Sequence, residues 1–183
     1  LGTSPPRRKA GNRMTTNIRP LRAEDFPDVG RIFFCAIHEG TRHVYTLDQR
    51  RAWAGDTVNL AGWKDRVKDL SGFIAEEGGE AVGFMTIDQT GYVDLAFVLP
   101  SAAGRGIGGA LLMAVEDWAA RNSADRLTTA ASLAARPFFE KRGWCVVKEE
   151  EVDRQGVALT RFQMHKTIVR DDEQGSSTAS GPP

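Results

Sequence analysis

Two cysteines, three histidines and two tyrosines are all that 183 residues supply of the side chains most used for metal binding, nucleophilic attack and proton relay. Cys35 and Cys145 are too few for a disulfide framework and have no metal-type partner at short spacing. Buried structural thiols, a reducing cytoplasm and no metal site are therefore expected. No apolar run approaches the length that spans a bilayer, so no membrane partner is expected. Net charge is lacking too: 24 basic residues meet 24 acidic ones. Because Arg7, Arg8, Lys9 and Arg13 crowd the N-terminus, the body is slightly acidic. A nucleic-acid partner, which selects a basic face, is not expected. Those first 13 residues carry no apolar stretch of the kind an export signal needs.

Hydrophobic residues make up 41% of the chain, enough for one soluble domain with a core of its own. Residues 1–16 and 169–183 are rich in Pro, Ser, Thr, Gly and charge, and read as disordered tails around a domain at 17–168. Within it, Ile18-Arg19-Pro20-Leu21-Arg22 reads as an edge strand, and Phe26, Val29, Ile32 and Ile37 recur at helical spacing up to Gly40. Helical stretches near 47–53 and 60–70 follow. Strands are predicted over 72–76, 81–87 and 92–98, the first two joined by a tight Gly78-Gly79 turn. After a glycine-rich loop, Ile107, Leu111, Val115 and Trp118 line one face of a helix. A strand at 126–131, a short helix at 134–142 ended by Gly143, and strands at 144–148 and 157–164 complete the order. The pattern predicts an α/β (α+β) domain around one sheet.

The loop Leu99-Pro100-Ser101-Ala102-Ala103-Gly104-Arg105-Gly106-Ile107-Gly108-Gly109 joins a strand to a helix. A helix start free of bulky side chains offers unpaired N–H groups and the positive end of the helix dipole, which suits a phosphate. Gly104, Gly106 and Gly109 satisfy the dinucleotide spacing G-x-G-x-x-G. However, Pro100 to Ala103 intervene between the strand and the first glycine, and the next strand ends in Ala130-Ala131-Ser132 without the acid that fingerprint needs. No Gly-Lys-Ser/Thr follows, so a P-loop is excluded. A glycine turn that only packs a helix closely is the other reading.

The run Tyr92 to Leu112, with Gly106-Ile107-Gly108 at its centre, resembles motif A of the GNAT superfamily of acyl-CoA-dependent N-acyltransferases. Ser132 to Trp144, with Arg136-Pro137-Phe138-Phe139-Glu140-Lys141-Arg142-Gly143, resembles the family's second signature, and reads most like bacterial members. Ile18-Arg19-Pro20-Leu21 followed by Glu24-Asp25 resembles its opening strand and helix. The resemblance covers about residues 17–167. It implies a mostly antiparallel, mixed sheet of six to seven strands flanked by helices. It also implies acetyl-CoA as donor, lying in a gap where two strands splay. On that reading Phe97 and Val98 pair with the pantetheine arm, and amides from Ala103, Gly104, Arg105, Gly106, Ile107, Gly108, Gly109 and Ala110 receive the pyrophosphate. Ser132 stands where an Asn often binds the arm, and Phe139 where a Tyr often protonates the leaving thiolate. Dimers are common in this family, so a homodimer is allowed.

The chain departs from the family at Ala103, where Gln or Arg is usual, and at Phe139, which has no proton to give. Arg105 is the candidate replacement for charge at the loop. For the base, Asp94 lies in the strand at the gap; burial would suit it to base work, whereas an arginine partner would occupy it. Strand alternation groups Asp94 with Tyr92 and Ala96. His43 and His38 are the other candidates, in the helix-to-helix segment that shapes the acceptor pocket in this family. Tyr45, Trp53 and Trp63 lie in or beside that segment, the two tryptophans expected as core plugs first. The implied activity is acetyl transfer to a primary amine of a small molecule or peptide by direct attack. The alternative is a non-catalytic acyl-CoA-binding or sensing domain.

Overall fold

A computed structural model describes residues 15–60 and 62–168; of the expected tails 1–16 and 169–183, all but residues 15 and 16 lie outside the described residues, and Thr16 is already the first residue of a strand. The strands are β1 (Thr16–Pro20), β2 (Ser71–Glu77), β3 (Glu80–Ile87), β4 (Tyr92–Val98), β5 (Arg126–Ser132), β6 (Cys145–Arg154) and β7 (Val157–Thr167). The helices are α1 (Phe26–His38), α2 (Leu47–Ala54), α3 (Trp63–Val67), α4 (Ile107–Arg121) and α5 (Arg136–Glu140). One seven-stranded sheet has the order β1-β2-β3-β4-β5-β7-β6. Every neighbouring pair is antiparallel except β4 and β5, which are joined through α4.

Each face of the sheet is covered by the helices whose apolar stripe fits it. Val29 and Ile32 of α1, with Trp63 and Val67 of α3, pack on Ile74, Ala81, Phe84 and Leu95. On the other face Ile107, Leu111, Val115 and Ala119, one stripe of α4, pack with Phe139 and Trp144 on Met85, Ile87, Val93, Leu127 and Phe162. The β2–β3 turn uses Gly78 and Gly79 at φ +60° and +86°, as the tight two-residue hairpin requires. At the start of α1, Asp25 accepts from Arg22 N–H at 2.7 Å and is gripped by both terminal nitrogens of Arg19 at 2.7 Å. Arg19 also reaches Glu76 at 2.6 Å, tying β1, β2 and α1 together.

Three expectations change. Strand β6 runs to Arg154 rather than stopping at Lys148. It is the sheet's edge, paired on one side only, so its charged stretch Glu149-Glu150-Glu151 carries no apolar alternation to announce it. Cys145, expected buried, is exposed at the start of that edge, and Cys35 is only partly buried. Alternation also fails in β4. Thr86 pairs with Leu95 but Ile87 pairs with Val93, so Asp94 is the extra residue of a β-bulge. Val93 therefore packs under α4 while Leu95 packs under α1, although residues two apart on a regular strand share a face.

Candidate active site

The bulge lies where β4 and β5 part. Their parallel pairing comprises Tyr92 with Thr128 and Val93 with Thr129, and Thr129 Oγ1 donates to Val93 O at 2.8 Å to close it. Beyond that point β4 stays with β3 as far as Val98, and β5 stays with β7 as far as Ser132. The facing edges from Asp94 to Val98 and from Ala130 to Ser132 have no strand between them. Main-chain groups on such an edge must find other partners. An extended ligand arm that pairs with β4 near Phe97 and Val98 fits this opening.

Past Val98 the chain makes one helical turn at Pro100–Ala102 and enters the loop. Ala103 N–H is used by Pro100 O, and Ala110 N–H by Gly106 O. Between them, among the described residues, the N–H groups of 104 to 109 find no protein acceptor. Gly104 and Gly106 have φ +76° and +86°, and a Cβ added to either would meet nothing within 4 Å. They give the backbone a turn that L side chains resist, and Gly106 caps α4 without any side-chain bond. Gly108 and Gly109 have a packing reason as well. A Cβ on Gly108 would lie 2.9 Å from the Phe138 ring, and one on Gly109 3.0 Å from Arg142 Nη2, so their missing side chains make room for Phe138 and Arg142. Arg105 turns back to Glu77 at 2.9 Å, a buried carboxylate, in a charge contact without hydrogen-bond alignment. Arg142 instead stands beside the loop, its guanidinium 4.0 Å over the Phe138 ring and its Nη1 donating to Phe138 O. A run of free amides at the start of a four-turn helix, with an arginine at its flank, fits a pyrophosphate.

At the other end the cleft widens into a cavity of ≈ 420 Å³ walled by Phe33, Phe34, Trp53, Trp63 and Phe97 on the α1–α3 side. Phe33 meets Trp63 and Phe97 edge to face at 4.8 and 4.9 Å, which fixes this wall. Both tyrosines of the chain line the cavity. The buried Tyr45 hydroxyl accepts from Leu133 N–H at 2.8 Å, pinning the turn before α2 to the end of β5. Burial pushes the Tyr45 phenol above its ordinary value, so it stays protonated. Tyr92 is raised likewise, by burial first and the Asp94 charge second. Asp94 is the one carboxylate on the lining, with Arg66 Nη2 2.6 Å from its Oδ2. Of the two alternatives for Asp94, the arginine partner is the one present. Arg154 and Arg161 complete the charged lining.

The structure therefore brings Asp94, Phe97, Ser132 and Phe139 to one cavity, while the glycine loop, reached from the open β4 edge through Val98, has Gly106 and Gly109 on a second pocket beside Arg142. Ser132 Oγ accepts from Ala135 N–H at 3.1 Å, and Phe139 is buried against Phe138 and Trp144. Ile107 keeps its side chain in the core while its N–H faces the loop run. His43 is exposed on the turn before α2 and does not line the cavity. Trp63 is both core plug and wall; Trp53 is wall. Arg66, Arg142, Arg154 and Arg161 were not singled out by sequence, because isolated arginines on separate elements leave no local pattern.

A cleft of this shape is what an acyltransferase drawing on a CoA thioester requires: one edge to extend, one helix start to hold phosphates, one enclosed space for the acceptor. The profile of the GNAT acetyltransferase domain matches residues 41–166, and the chain belongs to that family. The N-acetyltransferase YafP of Escherichia coli (strain K12), itself uncharacterized, is 31% identical over 147 residues, 80% of this chain and 93% of its own. The GCN5-related N-acetyltransferase of Rhodopseudomonas palustris superposes with a TM-score of 0.79 at 31% identity, covering 85% of this chain and 98% of that one. The paia N-acetyltransferase of Thermoplasma acidophilum, solved with coenzyme A, shares the fold at a TM-score of 0.64 and 17% identity, over 84% and 99% of the two chains. The protein is thus an acyltransferase with acetyl-CoA as donor, and the family match does not favour a binding-only role.

Proposed function

We propose that the protein acetylates a primary amine of a small molecule or peptide, the amine attacking the thioester directly. The observation that carries this is the open β4 edge, which has Asp94, the cavity's one carboxylate, at its start and leads past Val98 into the run of free loop amides. Acetyl-CoA supplies an acyl group already activated by its thiol. The protein has to hold it, deprotonate the amine and return a proton. An alkyl ammonium keeps its proton near neutral pH, with a pKa of about 10.4 for a lysine-type amine. Asp94 is placed to attract that ammonium and take its proton, once Arg66, half exposed on the short α3, yields the contact. Free N–H groups on the open β4 edge supply hydrogen bonds for the acyl oxygen. Tyr45 is the proton donor for departing sulfur in place of Phe139. Its hydroxyl accepts from Leu133, which leaves its own proton to give. Ser132 and the loop amides 104–109 hold the donor. His43, exposed and off the lining, has no step in this reading.

The test is incubation with acetyl-CoA and an amine panel, following free thiol. Amine-dependent thiol release supports the reading. Thermal stabilisation by acetyl-CoA with no amine-dependent release from any amine would instead favour a binding-only domain.

A further inference from the structure

We propose that the acceptor carries a carboxylate as well as its amine, and that Arg154 reads it. This rests on the acetyl-transfer reading above and deepens it. Across the chain basic and acidic residues balance at 24 each, yet the charged residues lining the cavity are three arginines and one aspartate. Two of the arginines have partners. Arg66 is held by Asp94, and Arg161 Nε lies 2.5 Å from Glu150 Oε1. Arg154 has no ion-pair partner among the described residues.

The hairpin aims it. Arg154 ends β6 opposite Val157, and Val152 and Arg154 both line the cavity while Asp153 between them does not, as the two-residue period requires. Asp153 is occupied in the turn, accepting from Gly156 N–H at 3.1 Å. The neighbouring acid therefore leaves Arg154 uncompensated at the cavity.

An excess positive charge repels acceptors that bring only cationic amines, polyamines above all. A zwitterion answers both signs, with its ammonium toward Asp94 and its carboxylate toward the planar fork of Arg154, a geometry guanidinium satisfies with two parallel bonds. The aromatic wall of Phe33, Trp53 and Phe97 suits an apolar side chain between them. The structure thus assigns the acceptor to free amino acids with apolar side chains.

The experiment has two arms. In turnover, phenylalanine and leucine are compared with their carboxamides and with spermidine. The free acids are expected to show kcat/KM about tenfold or more above the amides, and spermidine to be poorest. Arg154→Ala should raise KM for the acids about tenfold, leave KM for acetyl-CoA alone, and abolish the preference. Arg154→Glu should reverse it. In binding, which needs no turnover, N-acetylphenylalanine should raise the Tm of the CoA-bound protein more than its carboxamide does, and only when Arg154 is present. CoA stabilisation without a carboxylate preference in either arm overturns this inference and leaves acetyl transfer standing. Absence of stabilisation by CoA overturns both.

Discussion

Past the open β4 edge the ligand would meet main chain: a run of N–H groups from 104 to 109, before and within the first turn of α4. In the cavity it would meet side chains drawn from α1, α2, α3, β4, β5, β6 and β7. One half of the site is generic and the other particular. Amides and a helix dipole recognise a phosphate whatever side chains surround them, so they fix the donor. Aromatic rings and arginines brought together by folding choose the acceptor, and each of them can change without disturbing the loop.

A substitution at Asp94 separates the two ends most clearly. Asp94→Asn should lower kcat about a hundredfold, in the range of a lost general base, while acetyl-CoA raises Tm as much as in wild type. Arg66→Gln is the companion. If Asp94 acts as base, freeing it from Arg66 keeps or raises kcat. If Asp94 only anchors Arg66, both variants lose activity alike. Thermal shift with acetyl-CoA and initial rates read the outcome.

A control next in size lies away from both ends. Burial pushes the Asp25 carboxyl up, but hydrogen bonds from Arg19 and from Arg22 N–H outweigh it and hold the carboxyl below its usual range. A depressed carboxylate stabilises the fold above its unfolded value, near 3.9, and loses that contribution as pH falls through its folded value. Asp25→Asn should cost about 2 kcal/mol at neutral pH, from one mostly buried partner of a charge network. The gap to wild type should close below about pH 4, and neither KM should move. Denaturant melts across pH 2.5–7 measure it.

How much of this could be read from residues follows the same division. The loop was legible because a phosphate cradle needs glycines and a helix start at consecutive positions, and Gly104, Gly106 and the α4 stripe supply them in one stretch. The order of strands and helices was legible for the same local reason. The bulge at Asp94 was not: it arises from β3 and β4 slipping by one residue, and nothing in Tyr92-Val93-Asp94-Leu95 marks it. Nor was the acceptor lining, because Arg66, Arg154 and Arg161 lie on α3, β6 and β7 and acquire a common role only through the sheet order. The packing of Phe138 and Arg142 on Gly108 and Gly109 was not legible either, because glycine in sequence does not say what its missing side chain makes room for.

Gly106→Ala tests the main-chain end directly. At φ +86° an L residue costs about 1–2 kcal/mol, which the loop can relieve only by turning its amides away. Affinity for acetyl-CoA should drop about tenfold, seen by titration calorimetry, while KM for the acceptor at saturating acetyl-CoA stays put.

The smallest effect asks whether the loop end is main chain alone. Ala103 offers nothing, and Arg105 is turned to the buried Glu77, so the guanidinium left beside the amides is that of Arg142. It has no acid partner among the described residues and is braced by Phe138 and its carbonyl. Arg142→Ala should weaken acetyl-CoA about threefold at low salt, a typical value for one exposed charge contact. The loss should fade as ionic strength rises past about 0.15 M, where the Debye length is about 8 Å. Arg105→Ala, by contrast, should lower Tm and leave affinity unchanged. If Arg105→Ala weakens binding and Arg142→Ala does not, the charge at this end comes from the loop itself, and the division between a main-chain half and a side-chain half no longer holds.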